Sequence, residues 1–340
     1  MASLVKPLSD RNRDVILRRF GLKTGQPETL ESIGKSYSIT RERVRQIEEY
    51  ALKNLRTSGL EAVAVLTKPY FDFTAKLLEE GEGFVPEKDL FKKFSGQASE
   101  NNVDNLSLAF LLSLHPDFNK NQENDDLNSF WFSNRDASSL AKDLVSQTVA
   151  ILNGSKKLLN QNGLYEMYKS EVKAKPVALP SFLAALSLSK SIDKNVFGEY
   201  GLVDWPEIRP RGVRDRAFLV LKKENQPKHF RDIASLINTA NFSDRKANVQ
   251  TVHNELIKDV RFVLVGRGIY GLSEWGYKAG TVKDVLVNIL KESRRPLAKQ
   301  ELVAKVLSSR YVKENTILLN LQNSKIFRKK EDGTYALKET

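Results

Sequence analysis

The chain has 340 residues, with 54 Lys/Arg against 42 Asp/Glu for a formal net charge of +12, three histidines and no cysteine. The lack of cysteine excludes disulfides, thiolate metal sites and thiol nucleophiles, and it suits a reducing cytosol. No apolar run is long enough to cross a bilayer and the start MASLVKPLSDRNR has no signal-peptide core, so a cytoplasmic protein without a membrane partner is expected.

In chain order, Arg13 to Phe20 reads as an amphipathic helix carrying Val15, Ile16 and Leu17, stopped by Gly21. Pro27-Glu28-Thr29 opens a short second helix with Leu30, Ile33 and Gly34, and Ser36-Tyr37-Ser38 supplies a turn. Thr40 is placed to cap a third helix, its hydroxyl accepting from an amide of the first turn. Val44, Ile47, Ala51 and Leu55 recur at steps of three, four and four, which gives one apolar face. The opposite face carries Arg41, Glu42, Arg45 and Gln46, with Arg43 free to point outward. Arg binds guanine O6 and N7 bidentately, Gln does the same for adenine, and Glu accepts from cytosine N4, so this helix start holds a base-reading set.

Residues Leu8 to Arg56, and above all Arg19-Phe20-Gly21-Leu22 with the run Thr40 to Glu48, closely resemble region 4 of bacterial primary sigma factors. In that family the third of these helices reads the upstream promoter hexamer, the minus-35 element. The resemblance implies that Arg41, Glu42, Arg45 and Gln46 contact bases, and that Thr40 and Arg43 contact the DNA backbone. It also implies an alternative partner, RNA polymerase, through the flap of its β subunit; Val15, Ile16, Leu17, Phe20 and Leu22 are the residues for such an apolar surface, with packing inside the domain the preferred reading for most of them. Nothing downstream resembles the aromatic-rich helices by which that family melts promoters, and region 4 stands at the unaccustomed end of the chain. A regulator with a borrowed reading head is expected.

The remaining charge is uneven. Residues 1–60 carry a net +5, residues 61–205 a net −5, and residues 206–340 a net +12. Basic ends suit phosphate backbones, while an acidic middle suits a spacer or a protein-facing surface.

A repeat organises the rest. Tyr200-Gly201-Leu202-Val203-Asp204-Trp205 returns seventy positions later as Tyr270-Gly271-Leu272-Ser273-Glu274-Trp275, with a weaker copy at Tyr335-Ala336-Leu337 and an earlier aromatic cluster at Phe130-Trp131-Phe132. That period is too long for a solenoid and fits a string of small domains. Helices are expected at 214–223, 230–237 and 247–258, followed by strand 262–265, a Gly266-Arg267-Gly268 tip and return strand 269–272. Three helices and a β-hairpin make a winged helix. The last unit has the same grammar, with helices near 282–292, 299–307 and 314–323 and a wing tip at Lys329-Lys330-Glu331-Asp332-Gly333.

Residues 212–276 resemble the HARE type of helix-turn-helix found in the delta subunit of bacterial RNA polymerase. The features are Gln226-Pro227, Arg261-Phe262-Val263 with Gly266, and Gly271-Leu272 with Trp275. The acidic tail of delta is absent.

The expected fold is mainly α: an N-terminal helix-turn-helix, then a tandem array of small winged-helix units with short β-hairpin wings. The expected domains are 1–58 (region-4-like), 62–137 and 138–205 (winged-helix-like, with poorer hairpin signals), 210–276 (HARE-like) and 279–340 (winged helix), with breaks near 57–61 and 206–213.

The aromatics that end each unit, Trp131, Trp205, Tyr270, Trp275 and Tyr335, are read as seals of the wings on their helices rather than base stackers. Arg267, Lys329 and Lys330 are read as backbone contacts. His115, His229 and His253 lack metal-ligand spacing, and no phosphate loop, carboxylate pair or Ser/His set is evident, so neither catalysis, metal nor cofactor is expected. The function read from these features is sequence-specific binding of double-stranded DNA by a non-enzymatic transcription regulator, its basic C-terminal region gripping the backbone with little sequence preference. The alternatives are a polymerase-associated interaction protein and the specificity arm of a restriction-modification or defence system.

Overall fold

The computed structural model describes residues 1–99, 101–172, 177–277 and 280–338. The chain divides into two compact units, Met1–Lys194 with Gly198–Asp204, and Asn195–Phe197 with the chain from Trp205 onward. It is mainly helical, with small antiparallel sheets of two or three strands.

The first unit opens with α1 (Ala2–Val5), α2 (Asp10–Arg19), α3 (Leu30–Tyr37) and α4 (Arg41–Asn54). Ser9 caps α2 by accepting from the amide of Asn12. Gly21 ends it at φ +64, where a Cβ would lie 2.8 Å from the carbonyl carbon of Gln26. Composition predicts a break at 57–61, but the backbone stays helical: a wide π turn at Leu55–Gly59 passes into α5 (Leu60–Ala62) and then α6 (Ala64–Glu80). Burial explains the difference. Leu55 and Val63 lie in one core with Leu4 and Leu17 from the N-terminal helices, with Leu22 from the turn after α2, and with Phe110, Leu111 and Leu114 from further along the chain. The apolar face that holds α4 thus continues through the turn, and the π turn absorbs the residues that carry the break signal.

After α6 come β1 (Phe84–Pro86), α7 (Glu87–Ser95), α8 (Val103–Leu114), β2 (Asn119–Asn121) and β3 (Phe130–Phe132), the strands ordered β1-β3-β2 in an antiparallel sheet. Trp131 is 1% exposed in the core beneath it, and its indole N–H donates to Glu87 Oε1 at 3.1 Å. The ammonium of Lys120 meets the same oxygen at 2.7 Å, so that buried carboxylate is paired. The unit closes with α9 (Arg135–Ser155), α10 (Gln161–Glu171), α11 (Leu179–Leu188) and the hairpin β4 (Ile192–Lys194) with β5 (Tyr200–Leu202).

The second unit holds two copies of one plan. The first copy is α12 (Val213–Glu224), β6 (Lys228–His229), α13 (Phe230–Ala240), α14 (Val249–Lys258), β7 (Phe262–Gly266) and β8 (Ile269–Leu272), with sheet order β6-β8-β7. The second copy is α15 (Val282–Ser293), β9 (Leu297–Ala298), α16 (Lys299–Leu307), α17 (Glu314–Leu321), β10 (Phe327–Lys329) and β11 (Thr334–Leu337), with sheet order β10-β11-β9. Each is a three-helix bundle with a wing, as the sequence predicts. The added strands β6 and β9 were not legible, because two residues show no periodicity.

Each copy has its own core: Ile233, Ile237, Val252, Leu256, Phe262 and Leu272 lie in the first, and Leu286, Leu297, Leu302, Val306, Ile317 and Phe327 in the second. Tyr270 is buried in the first core, and Trp275 and Tyr335 are packed against the two cores, the sealing use expected of them. Among the described residues no helix is long and apolar enough to cross a membrane.

Candidate nucleic-acid interface

Helix α4 begins where the sequence places it. Thr40 Oγ1 accepts from the amide of Arg43 at 3.1 Å. Val44 and Ile47 are buried against Val15 and Ile33, with Leu30, Tyr37 and Ile39 at the edge of that cluster. Burying those residues fixes the rotation of the helix, so Arg41, Glu42, Arg43, Arg45 and Gln46 are all exposed on its outer side.

The turn between α3 and α4 depends on two backbone features. Ser38 ends α3 in the left-handed region at φ 53, and the amide of Ile39 then returns to Gly34 O at 3.0 Å. A Cβ on Gly34 would stand 2.8 Å from Ile39 O, so only glycine allows the chain to fold back this closely. The angle between α3 and α4 is therefore set by an approach that any other residue would block.

A polar frame that no spacing rule revealed braces α2 against α3 and the loop between them. Arg18 grips Glu28 with two hydrogen bonds of 2.9 and 2.7 Å and donates a third to Ser36 at 2.8 Å. Tyr37 donates to Asp14 at 2.7 Å, and Arg19 donates to Glu28 O at 3.0 Å. The Arg18 guanidinium holds the Glu28 carboxyl below its ordinary range, and hydrogen bonding to Asp14 raises the Tyr37 hydroxyl. These residues lie on separate helices or loops, and only the fold brings them together.

The outer face of α4 is itself wired. Arg45 donates to Glu42 at 2.7 and 2.9 Å and also to Glu49, and Arg43 donates to Gln46 Oε1 at 3.0 Å. The Arg45 hydrogen bonds and charge hold the Glu42 carboxyl below its ordinary range. Arg41 makes no hydrogen bond or ion pair among the described residues. Arg41 thus stands without a hydrogen bond at the start of α4, near Glu42, while Arg43 and Arg45 are held in exchangeable surface pairs, which are individually weak.

The remaining expected contacts lie in the other compact unit. Arg267 sits in the tight turn between β7 and β8, Lys329 ends β10, and Lys330 follows it in the wing turn. All three are exposed. The apolar residues expected as an alternative docking face are used internally: Val15, Ile16, Leu17 and Leu22 are buried, and the Phe20 ring lies 4.7 Å from that of Phe110 on α8.

Residues 4–57 match the model of Sigma-70, region 4. Over 53 residues the chain is 55% identical to the RNA polymerase sigma-C factor of Nostoc sp., a stretch that covers 16% of this chain and 13% of that protein. It is 53% identical over 49 residues to the RNA polymerase sigma factor SigA of Lactococcus lactis subsp. cremoris, covering 14% of each. It is 48% identical over 63 residues to SigA of Nostoc sp., covering 18% of this chain and 16% of that protein. The chain therefore matches only about a seventh of the length of these relatives. Residues 4–57, the stretch that matches Sigma-70, region 4, fold as a helix-turn-helix with α4 as its outward helix.

Proposed function

We propose that this protein is a non-enzymatic transcription regulator that binds double-stranded DNA, reading a minus-35-like element through α4. The observation that carries this reading is the outer face of α4, where Arg41, Glu42, Arg45 and Gln46 are exposed together at the start of a capped, buried-back helix. Those side chains offer partners for guanine, cytosine and adenine edges, and an α-helix fits the major groove. Thr40 and Arg43 stand at the same end, where backbone phosphates flank a docked helix. The basic second unit, with Arg267, Lys329 and Lys330 in its wings, supplies sequence-independent affinity through counterion release.

Selection of bound sequences from a random duplex pool with the full chain tests this directly. A recurring block that the Arg41→Ala and Gln46→Ala variants read less strictly is the expected result. No enriched sequence, or the same block selected by both variants as sharply as by the parent, would overturn the assignment.

A further inference from the structure

A second helix in this protein has the surface chemistry of a base reader, and it belongs to the other compact unit. In α14, Val252 and Leu256 are buried at 0% and 1% exposure, which turns Gln250, Thr251, Asn254, Ile257 and Lys258 outward. Asn248 caps the helix by accepting from the amides of Gln250 and Thr251. One turn apart on the exposed face, Gln250 Nε2 donates to Asn254 Oδ1 at 3.1 Å. The two carboxamides are thereby held side by side, with Gln250 Oε1 and Asn254 Nδ2 left without partners among the described residues.

The residue types on this face select among base pairs. A carboxamide offers one donor and one acceptor in a plane, the complement of adenine N6 and N7. Guanine needs two donors, best supplied by Arg, and cytosine needs an acceptor such as Glu. Neither type stands outward between Gln250 and Ile257. Glu255 is turned to the flank and lies 3.8 Å from Arg214. Ile257 is 63% exposed and Val249 40% exposed, apolar side chains of the kind that contact the thymine methyl group.

The surroundings supply phosphate contacts. Arg245 and Lys246 are exposed in the loop that leads into α14, beside Asp244, and Arg267 is exposed in the wing turn. That turn is pressed onto the start of α13, since a Cβ on Gly268 would lie 2.6 Å from His229 Nε2, so Arg267 is carried on a fixed support. The corresponding helix of the second copy, α17, lacks this chemistry: Glu314 opens it, Leu319 is 66% exposed, and the Asn320 amide donates back to Thr316 O at 2.8 Å.

We infer that α14 is a second sequence-reading helix, docking in the major groove of duplex DNA and preferring A·T pairs through Gln250 and Asn254. The protein then recognises two blocks of sequence rather than one block plus a nonspecific grip. This does not depend on how α4 binds.

The test is selection from a random duplex pool by the full chain, in parent and variant forms, with thermal unfolding followed by circular dichroism. The parent is expected to enrich two blocks, one of them A·T-rich. Gln250→Ala with Asn254→Ala should erase the A·T-rich block alone and weaken binding to the selected DNA by about tenfold to a hundredfold. Unfolding should be unchanged, because both positions are exposed and alanine favours a helix. Gln250→Arg should shift one position of that block toward guanine. A single enriched block, or an A·T-rich block that survives the double variant, overturns the proposal. Loss of the other block in the Arg41→Ala variant reports on α4 separately.

Discussion

Arg45 holds Glu42 in a two-point pair, at 2.7 and 2.9 Å, on the very face of α4 that would meet DNA. Both side chains must leave this pair, or turn it as a unit, to engage bases. Arg41, one residue before Glu42, has no such tie.

From this follows the expectation that Arg41→Ala costs about 1–3 kcal/mol in affinity for the selected site and relaxes specificity at a single base pair. Glu42→Gln should leave Arg45 paired with Glu49 alone and alter specificity at a neighbouring pair with a smaller affinity change. Competition binding against single-base variants of the site measures both. Equal affinity of the Arg41→Ala protein for every variant and for the parent site would remove Arg41 from the interface.

Gly34→Ala sets two effects against each other. Alanine gains about 1 kcal/mol of helix propensity over glycine. Its Cβ would meet Ile39 O at 2.8 Å, and the turn must open to relieve the clash. Overpacking of this kind costs about 1–3 kcal/mol, so a net loss of stability in urea unfolding and a larger loss of DNA binding are expected. A variant more stable than the parent would show that the turn is free to shift.

Within the second unit, Arg310 is 5% exposed and donates to the carbonyls of Leu264 and Gly280, while the amide of Tyr311 bonds to Val265 O at 3.1 Å. These bonds cover the outer edge of β7 and tie the two winged copies together. Burial pulls the guanidinium down from its ordinary pKa. Arg310→Met leaves two carbonyls without their donors, at about 1–3 kcal/mol each. Faster hydrogen exchange at the Tyr311 amide is the expected signature, and unchanged protection there would show that the edge is closed without Arg310.

Asp259 is held below the ordinary carboxylate range by hydrogen bonds from Arg261, at 3.1 and 2.6 Å. A depressed folded-state pKa contributes stability that is present above the unfolded value and is lost as pH falls through the folded one. The second unit should therefore lose stability below about pH 4. Asp259→Asn should be less stable at neutral pH and show a shallower acid dependence. Parallel acid titrations of unfolding for parent and variant would contradict this.

Replacing Arg267, Lys329 and Lys330 together with Ala in the full chain should weaken DNA binding. It should also flatten the slope of log affinity against log salt by roughly two to three units, about 0.9 for each phosphate that is no longer neutralised. A slope unchanged from the parent would place the wings away from the backbone.

The start, cap and outward face of α4 are legible in the amino-acid sequence alone, because Thr40 and the spacing of Val44, Ile47 and Ala51 are local signals that read the same in isolation. The wings are legible too, since Gly266 to Gly268 and the aromatic ends are short-range turn and strand marks. Relationships between residues further apart in sequence were settled by packing. The break expected at 57–61 became helix because Phe110, Leu111 and Leu114 bury the face that runs through it. The frame of Arg18, Glu28, Ser36 and Tyr37, the paired strands β6 and β9, and the seat of Arg310 are likewise long-range. No periodicity announces such meetings, because each arises when elements with their own local patterns come together and leave a polar group to satisfy or an apolar face to cover.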